Sequence, residues 1–297
     1  MKLLVFGFGY TSHHVAERLR AGGAEIAATV RIPAKADMLT RNGIRARVLS
    51  AGQRDPAIAE DIAEAEAILV SVPPDDSGDP VLAAFAEAIA AAPKLRWVGY
   101  LSTIGVYGDH AGAWVDEATP AAPSEARSKA RARVEQAWLA FGAAHDVAVH
   151  IFRLPGIYGP GRNQLAQLAA GSARRIVKPG QVFNRIHVAD IAAVIEASIS
   201  RPRGGGIYNV GDDEPAPVQD VIGFAAGLCG VPPPPEIPFE SAELSPMARS
   251  FYGENKRVRS GLIRSELGVV LRYPTYREGL TALRAGGEGP TGQSPAG

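Results

Sequence analysis

The chain has 297 residues, and its 31 lysines and arginines equal its 31 aspartates and glutamates, so its formal net charge is zero. This balance excludes proteins that hold nucleic acid or a membrane surface through bulk positive charge. No apolar run reaches the roughly 18 residues of a membrane span, and a single cysteine, Cys229, excludes a disulfide framework and a cysteine-based zinc cluster. Because the N-terminal apolar run meets Gly7 too early for a signal peptide, we expect a soluble, cytoplasmic protein without a metal.

Short apolar segments alternate with longer, alanine-rich segments through the N-terminal half of the chain. The apolar segments predict strands, buried on both faces, at residues 2–6, 25–30, 46–49, 67–72, 96–101 and 147–153. The segments between them predict helices at residues 11–21, 34–41, 56–65, 80–91 and 128–144. This alternation is typical of an α/β fold whose parallel sheet is covered by helices on both faces.

The first predicted strand runs directly into a glycine-containing turn and then into a helix. In a dinucleotide-binding turn, a first glycine such as Gly7 permits the tight bend, and a second, such as Gly9, lets a pyrophosphate approach the backbone. Ser12 takes the third position, where a small residue allows close packing and a hydroxyl can also bond a phosphate. We therefore predict that Gly7, Gly9, Tyr10, Thr11 and Ser12 bind a dinucleotide cofactor; an ordinary turn is the alternative.

Basic residues follow the second predicted strand. Arg31 stands where an NAD-binding protein places an acid for the ribose 2′-hydroxyl, whereas an arginine accommodates the 2′-phosphate of NADP. Lys35 adds a second positive charge four residues later. The pair predicts a preference for NADP(H) over NAD(H), with a solvated basic loop as the alternative.

Five later segments carry a family resemblance. They are VGYLSTIGVYG at 98–108, DEATP at 116–120, RLPGIYGPG at 153–161, RIHVAD at 185–190 and IYNV at 207–210. In this order they resemble motifs of the NAD(P)-dependent epimerase/dehydratase family, the extended short-chain dehydrogenase/reductases. The resemblance covers about residues 1–280 and implies a Rossmann-type doubly wound sheet with a smaller C-terminal substrate-binding cap. The short spacing of the first two glycines indicates an atypical branch.

The resemblance also implies a chemistry, which is hydride transfer at a nicotinamide. In the family a Tyr is the general acid/base, a Lys four residues later lowers its pKa, and an upstream Ser or Thr holds the substrate oxygen. By this resemblance Thr103 takes the Ser/Thr position and Lys129 the Lys position, but Glu125 stands in place of the Tyr. A glutamate near its reference pKa of about 4.3 is ionised at neutral pH and cannot donate the proton of carbonyl reduction. Lys129 can still bind the nicotinamide ribose, and a surface helix pair with Glu125 is the alternative.

The missing acid leaves two tyrosines as candidates. Tyr107 and Tyr158 are possible replacements, although residues like them in the family mainly pack or line the cleft. Two further positions complete the predicted cofactor site. They are Ser71, in the fourth predicted strand, and Pro155, whose backbone the resemblance places beside the nicotinamide.

Charged residues outside these motifs have less specific interpretations. Arg127, Arg131 and Arg133 form a basic stripe, which we interpret as a solvated helix face, with an anionic-substrate site as the alternative. His187 and Asp190 are expected to fix the junction between sheet and cap.

The predicted domain organisation follows from the break in pattern after Arg153. Residues 1–154, with 185–203 returning to them, form the NADP-binding domain; 155–184 and 204–284 form the cap, and 285–297 form a disordered tail. The expected ligand is a small molecule, either a nucleotide sugar or a carbonyl compound, and the expected assembly is a monomer or homodimer. The leading hypothesis is an NADP-dependent oxidoreductase or epimerase/dehydratase-like protein, and the alternative is a catalytically silent NADP(H) sensor.

Overall fold

The computed structural model describes residues 1–49, 55–75 and 77–290. The strands are β1 (Lys2–Phe6), β2 (Glu25–Val30), β3 (Arg45–Val48), β4 (Ala67–Val70), β5 (Trp97–Thr103), β6 (Trp114–Val115), β7 (Ala148–Leu154), β8 (Gly156–Tyr158), β9 (Arg175–Val177), β10 (Arg185–His187), β11 (Gly206–Asn209), β12 (Glu236–Pro238) and β13 (Arg257–Val258). The helices are α1 (Tyr10–Ala21), α2 (Pro33–Arg41), α3 (Pro56–Glu64), α4 (Pro80–Ala90), α5 (Ala126–His145), α6 (Gln164–Ala169), α7 (Val188–Ser200), α8 (Val218–Cys229), α9 (Pro246–Ser250), α10 (Leu262–Ser265) and α11 (Tyr276–Ala285). Short 3₁₀ helices lie at Ile104–Tyr107 and Phe239–Ser241.

Seven strands form one parallel sheet, in the order β11-β7-β5-β4-β1-β2-β3. Strand β1 pairs with β2 on one side and with β4 on the other, so the direction of winding reverses between β1 and β4. In open α/β sheets, ligands bind beyond the carboxyl ends of the strands at such a reversal. The predicted α/β class, with a Rossmann-type doubly wound sheet, is confirmed.

Helices cover both faces of this sheet, which explains the continuous apolar strands. On one face α1 and α7 pack through residues such as Val15 and Ile191. On the opposite face α4 and α5 pack through Phe85 and Trp138. Each fully buried side chain of this size contributes about 1.5–3 kcal/mol relative to an exposed one, so the two layers fix the sheet that carries the site.

A smaller cap is built from elements in the C-terminal half. Tyr158 and Leu280 belong to a core that α6, α8 and α11 share, and Ile176 and Tyr252 belong to a second cluster. Two-stranded parallel pairs, β8 with β10 and β9 with β12, complete this part of the chain.

Strand β11 requires a correction of the predicted cap. It pairs with β7 from Gly206 opposite His150 to Asn209 opposite Arg153, and therefore forms the edge of the large sheet. The ring of its buried Tyr208 stacks on Phe152 with centroids 6.1 Å apart. This strand belongs to the sheet because its side chains complete the core there, which a short apolar run does not reveal by itself.

The segment after α11 also differs from the prediction. The Glu288 carboxylate accepts hydrogen bonds from the Gly161 amide at 3.0 Å and from the Asn163 side chain at 2.5 Å. Residues 285–290 are therefore fastened to the cap rather than disordered, while residues 291–297 of the predicted tail lie outside the described residues. Within the described ranges, no helix is both long enough and apolar enough to cross a membrane.

Candidate functional site

The turn between β1 and α1 requires glycine at its first position. Gly7 has φ of +86°, a conformation that L-residues rarely adopt. A Cβ atom added there would lie 3.0 Å from the Val72 side chain and 3.3 Å from the carbonyl carbon of Ser71. Gly7 therefore lets β1 turn tightly against the end of β4, where Ser71 borders the turn.

The N-terminus of α1 has the features of an anion site. Gly9 is the N-cap residue, and a Cβ atom added to it would meet nothing within 4 Å, so its outer side is open. Among the described residues, the amides of Tyr10, Thr11 and Ser12 have no backbone partner. Unpaired amides at a helix N-terminus attract phosphate groups.

Two side chains in this turn have structural partners. The Ser12 hydroxyl donates to the Gly7 carbonyl at 2.9 Å and is fully buried, so it stabilises the turn and its side chain does not face the open side. The Tyr10 hydroxyl donates to the Pro160 carbonyl at 3.0 Å, which connects α1 to a cap loop. Burial raises the pKa of Tyr10 to about 12, so this hydroxyl keeps its proton.

The two predicted basic residues lie beside the turn. Lys35 donates through Nζ to the Phe8 carbonyl, so the positive charge of Lys35 lies against the β1–α1 turn. Arg31 is exposed directly after β2, the neighbour of β1 in the sheet. Both positions suit a phosphate group near the end of β2.

A cavity of about 1000 Å³ is lined by both the carboxyl edge of the sheet and the cap. Pro73 after β4, Thr103 at the end of β5 and Pro155 after β7 form its sheet side. Ile176 and Tyr252 belong to its cap side. Its volume and mixed lining are those of a small-molecule site.

Thr103 occupies a fixed position in this lining. Its hydroxyl oxygen accepts a hydrogen bond from the Gly105 amide at 3.1 Å, which caps the 3₁₀ helix after β5. A Cβ atom on Gly105 would lie 2.6 Å from the Ser128 hydroxyl, so this turn and the start of α5 are in close contact. The Thr103 proton remains available to a ligand oxygen.

The start of α5 presents a different set of side chains to the cavity from the predicted one. Glu125 is the exposed N-cap residue and lines the cavity, but its carboxylate makes no capping hydrogen bond. Lys129 is exposed and is not among the lining residues of the cavity. Arg127 and Arg131 line the cavity instead, which argues against a wholly solvated stripe.

Arg131 is the helix α5 cation closest to the sheet. Its guanidinium donates to the Leu101 carbonyl at 2.5 Å and to the Tyr100 hydroxyl at 3.3 Å, and it lies over the Tyr100 ring. Arg133 is exposed on another face of the helix and is not in the lining. The two arginines therefore lie on different faces of α5. The helical periodicity of α5, rather than the Ser-Lys pair, is the signal that could have identified Arg131.

Neither candidate tyrosine acid faces the cavity. Tyr107 is fully buried, its hydroxyl donates to the Asn209 side chain at 2.8 Å, and the Arg153 guanidinium lies 4.8 Å from its ring centroid. Tyr158 packs in the cap core, and its hydroxyl points to the Thr275 carbonyl at 3.4 Å. Burial raises the pKa of both phenols, so these arrangements argue against either one as the catalytic acid.

The predicted junction residues make structural contacts. Asp190 accepts hydrogen bonds from the amides of Arg272 and Tyr273, at 2.7 and 3.1 Å. His187 caps α7 by accepting a hydrogen bond from the Ala189 amide. Asp190 therefore joins α7 to residues 272–273, whereas the His187 hydrogen bond is local to the start of α7.

Several cavity residues were not predicted from the sequence. The cations Arg162, Arg174, Arg185 and Lys256 come from four separate cap and loop segments and line the same cavity. Because they are up to 94 residues apart in the chain, no local motif contains them. They add to Arg127 and Arg131 in a cavity whose acidic lining residues are Glu125 and Glu254.

Comparisons with known proteins agree with this arrangement. The model of the NAD dependent epimerase/dehydratase family matches residues 3–211, which is more than half of the chain. Protein YeeZ of Escherichia coli strain K12 is 27% identical over 289 residues, covering 92% of this chain and 96% of that protein.

Two solved structures extend the comparison. A conserved protein of unknown function from Silicibacter pomeroyi is 50% identical, with a TM-score of 0.87 and coverage of 97% of this chain and 99% of that chain. The dTDP-glucose 4,6-dehydratase of Bacillus anthracis, solved with NAD, is 16% identical, with a TM-score of 0.76 and coverage of 96% and 97%, which shows a shared fold. Together with the parallel sheet and the glycine turn, the family match shows that the chain belongs to the NAD dependent epimerase/dehydratase family.

Proposed function

We propose that the protein is an NADP(H)-dependent oxidoreductase or epimerase/dehydratase-like enzyme that acts on a small molecule in the cavity. The observation that carries this proposal is the β1–α1 turn, where Gly7 has a positive φ and close contacts with Val72, and Gly9 faces open space. The unpaired amides that follow Gly9 fit a dinucleotide pyrophosphate. The NAD complex of the dehydratase with the same fold supports this choice of ligand class.

The chain's own residues divide the cofactor site into two ends. The amides of Tyr10, Thr11 and Ser12 would hold the pyrophosphate. Ser71 would border that end of the cofactor and Pro155 the nicotinamide end. When bound, the cofactor supplies or accepts a hydride. Thr103 would orient the substrate through its hydroxyl proton.

The charges beside the turn support NADP(H) rather than NAD(H). The Arg31 guanidinium, exposed after β2, matches the fork geometry that a 2′-phosphate requires, and Lys35 adds a fixed charge at the Phe8 carbonyl. We expect NADPH to bind at least about tenfold more tightly than NADH, since a charged hydrogen bond contributes about 1.5–3 kcal/mol. Equal or tighter binding of NADH in calorimetric titrations contradicts the preference.

The acid of this reaction differs from the family's tyrosine. Glu125 stands at the position of the family's tyrosine, and the next charged lining residues along α5 are Arg127 and Arg131. Arginine does not release its proton near neutrality. The remaining proton-bearing candidates in the lining are Tyr252 and Lys256, and Lys256 is already paired with Glu254. The proton therefore comes from one of these cap residues, from solvent or from the substrate, and hydride transfer without the family's tyrosine is expected to be slow.

A second candidate function is a catalytically silent NADP(H)-binding sensor. The observation that favours it is the placement of Tyr107 and Tyr158, whose hydroxyls bond inside the protein rather than facing the cavity. A sensor needs the cofactor turn and a closing cap but not an acid. Both candidate functions use the β1–α1 turn to bind the cofactor, but only the enzyme converts a substrate.

Nicotinamide absorbance, together with chromatography of the sugar products, distinguishes these two candidates. The protein is incubated with NADPH and with a panel of carbonyl compounds, and with NADP⁺ and a panel of nucleotide sugars. An oxidoreductase predicts a net absorbance change with at least one compound, and a redox-neutral epimerase/dehydratase predicts a new product in chromatography of the nucleotide sugars. In either case Thr103→Val should lower the rate with unchanged NADPH affinity. Tight NADPH binding without turnover on either panel would contradict the enzyme hypothesis and favour the sensor hypothesis.

A further inference from the structure

Glu125 stands at the position of the family's tyrosine, and a segment of the cap packs against residues on both sides of it in the chain. The Ser124 hydroxyl donates to the Glu254 carboxylate at 2.6 Å. The Arg127 guanidinium lies 4.5 Å from the centroid of the Phe251 ring. The cap segment from Phe251 to Glu254 therefore lies against the start of α5, where the acid of the family would stand.

Tyr252 lies in the middle of this cap segment and lines the cavity. Its ring stacks on Phe239 with centroids 4.9 Å apart and packs edge-on against Phe183 at 5.1 Å. Only 7% of the residue is exposed, so the ring is fixed in position. The hydroxyl has no hydrogen-bond partner among the described residues and is not one of the polar atoms sealed from solvent. It is therefore free to bond a ligand in the cavity.

The cap segment is also connected to the predicted nicotinamide end of the cofactor site. The Asn184 carbonyl accepts a hydrogen bond from the Gly156 amide at 3.1 Å, directly after Pro155. The Asn184 side chain donates to the carbonyl of Lys256 at 2.9 Å, four residues after Tyr252. The phenylalanine before Asn184 is the one that contacts the Tyr252 ring. The start of β10 therefore joins the segment that bears Tyr252 to the chain that borders the nicotinamide.

The surroundings keep the proton on this phenol at neutral pH. Burial raises the pKa of Tyr252, and the positive charge of Arg185 opposes that effect. The other proton-bearing candidate of the lining, Lys256, is held by the Glu254 carboxylate at 2.6 Å. A protonated phenol without a protein partner can donate its proton to a ligand oxygen.

We propose that Tyr252 is the catalytic acid of this protein and acts from the cap in place of the family's tyrosine on α5. The inference rests on the proposed function of the cavity as the site of hydride transfer. In the reduction of a carbonyl compound, the carbonyl carbon receives the hydride that bound NADPH supplies, and the carbonyl oxygen takes the Tyr252 proton. The phenol O–H bond breaks as the O–H bond of the product alcohol forms, and a proton from solvent restores the phenol. Thr103 would hold the same oxygen from the sheet side.

A crystal structure of the NADPH complex tests the position of this hydroxyl without turnover. One carbonyl group must fit between the two reactants, with its carbon about 3–3.5 Å from the nicotinamide C4 atom and its oxygen about 2.6–3.2 Å from the phenol oxygen. We therefore expect the Tyr252 hydroxyl within about 6 Å of the C4 atom. A longer distance overturns the inference.

The variant Tyr252→Phe tests the role of the hydroxyl in turnover. It removes one oxygen atom and keeps the packed ring, so the urea midpoint of unfolding and the NADPH affinity should equal those of the wild type. We expect kcat on the compound that the wild type converts to fall at least about 100-fold, as in the loss of a general acid. Tyr276→Phe is the matched control, because Tyr276 is a buried cap tyrosine outside the lining, and it should leave kcat unchanged.

The outcomes separate this inference from the proposed function. Unchanged kcat in Tyr252→Phe, with turnover by the wild type, overturns the inference and leaves the proposed enzyme standing. A loss that is equalled in Tyr276→Phe, or that accompanies a lower urea midpoint, assigns the Tyr252 hydroxyl a structural role and also overturns the inference. Failure of NADPH to bind, or binding without any turnover by the wild type, overturns the proposed enzyme and the acid with it.

Discussion

At the scale of single residues, the two glycines of the phosphate turn have separable roles. Gly9 has an ordinary φ of −96° and open space where a Cβ atom would lie, so Gly9→Ala should fold normally. The added methyl group would occupy the approach to the α1 amides. We expect a loss of at least about tenfold in NADPH affinity, measured by calorimetry, with an unfolding free energy within about 0.5 kcal/mol of the wild type.

Gly7→Ala is the matched variant for this prediction. Its positive φ and the 3.0 Å contact with Val72 should lower the unfolding free energy by about 1–3 kcal/mol. If Gly9→Ala binds NADPH as tightly as the wild type, the cofactor does not approach the backbone at this turn.

Asp212 gives a pH dependence whose sign can be worked out. Its pKa is raised by burial from 3.8 to about 8, against the attraction of Arg185. Between these two pH values the folded protein holds a proton that the unfolded chain releases, so this group lowers stability as pH rises. Asp212→Asn should therefore gain stability relative to the wild type between pH 5 and pH 8, by at least about 1 kcal/mol in urea unfolding. Parallel stability curves for the two proteins contradict this assignment.

Side-chain direction near α5 marks the limit of sequence reasoning at this scale. The motif Ser-Lys identifies Lys129, yet Lys129 is exposed and Arg131 faces the end of β5. The true start of the helix, after Glu125, sets which positions face inward. That start depends on the preceding loop, whose conformation the local pattern does not specify.

At the scale of elements, a buried ion pair fastens α5 to the sheet. Glu135 on α5 pairs with Arg153 on β7 at 2.8 Å, and the Ser102 hydroxyl on β5 donates to the same carboxylate at 2.5 Å. Glu135→Gln should lower the unfolding free energy by about 3–5 kcal/mol, because it leaves a buried arginine charge uncompensated. Urea unfolding measures the difference.

An exposed ion pair provides the comparison for that variant. Glu214 pairs with Arg277 at 3.0 Å, with both side chains substantially in solvent, so Glu214→Gln should cost less than about 1 kcal/mol. Similar costs for the two variants would mean that the Glu135 pair is not the fastening between α5 and the sheet.

The bounds of elements with a strong apolar pattern could be predicted closely, whereas the placement of elements with a weak pattern could not. Strands β1 and β2 match their predicted bounds, because both are apolar runs buried on both faces. Strand β11 begins at the third of three consecutive glycines and has only four residues, so the pattern identifies a strand but not the sheet to which it belongs. Only its pairing with β7 decides that question.

At the scale of the whole molecule, the C-terminal end of the described chain is hydrogen-bonded to a cap loop that lies beside the β1–α1 turn. Glu288 bonds to Gly161 and Asn163, while Tyr10 bonds to Pro160 in the same loop. Glu288→Ala should remove two hydrogen bonds, lower the unfolding free energy by about 1–2 kcal/mol, and speed deuterium uptake in a peptide that spans residues 159–163. Mass spectrometry measures the uptake.

Glu240→Ala is the control for this prediction, since Glu240 is an exposed acid in a different part of the cap. Its uptake pattern over residues 159–163 should match that of the wild type. Unchanged uptake in Glu288→Ala would show that the loop keeps its conformation without the C-terminal segment.

The central claim concerns a cofactor at the β1–α1 turn and a substrate cavity in which neither Tyr107 nor Tyr158 supplies the acid. A crystal structure of the NADPH complex tests it most directly. The account predicts phosphate density against the amides of Tyr10 and Thr11, the 2′-phosphate beside Arg31, and neither the Tyr107 nor the Tyr158 hydroxyl within about 3 Å of the nicotinamide C4 atom. Cofactor density away from the turn, or either of these two hydroxyls at that distance, would contradict it.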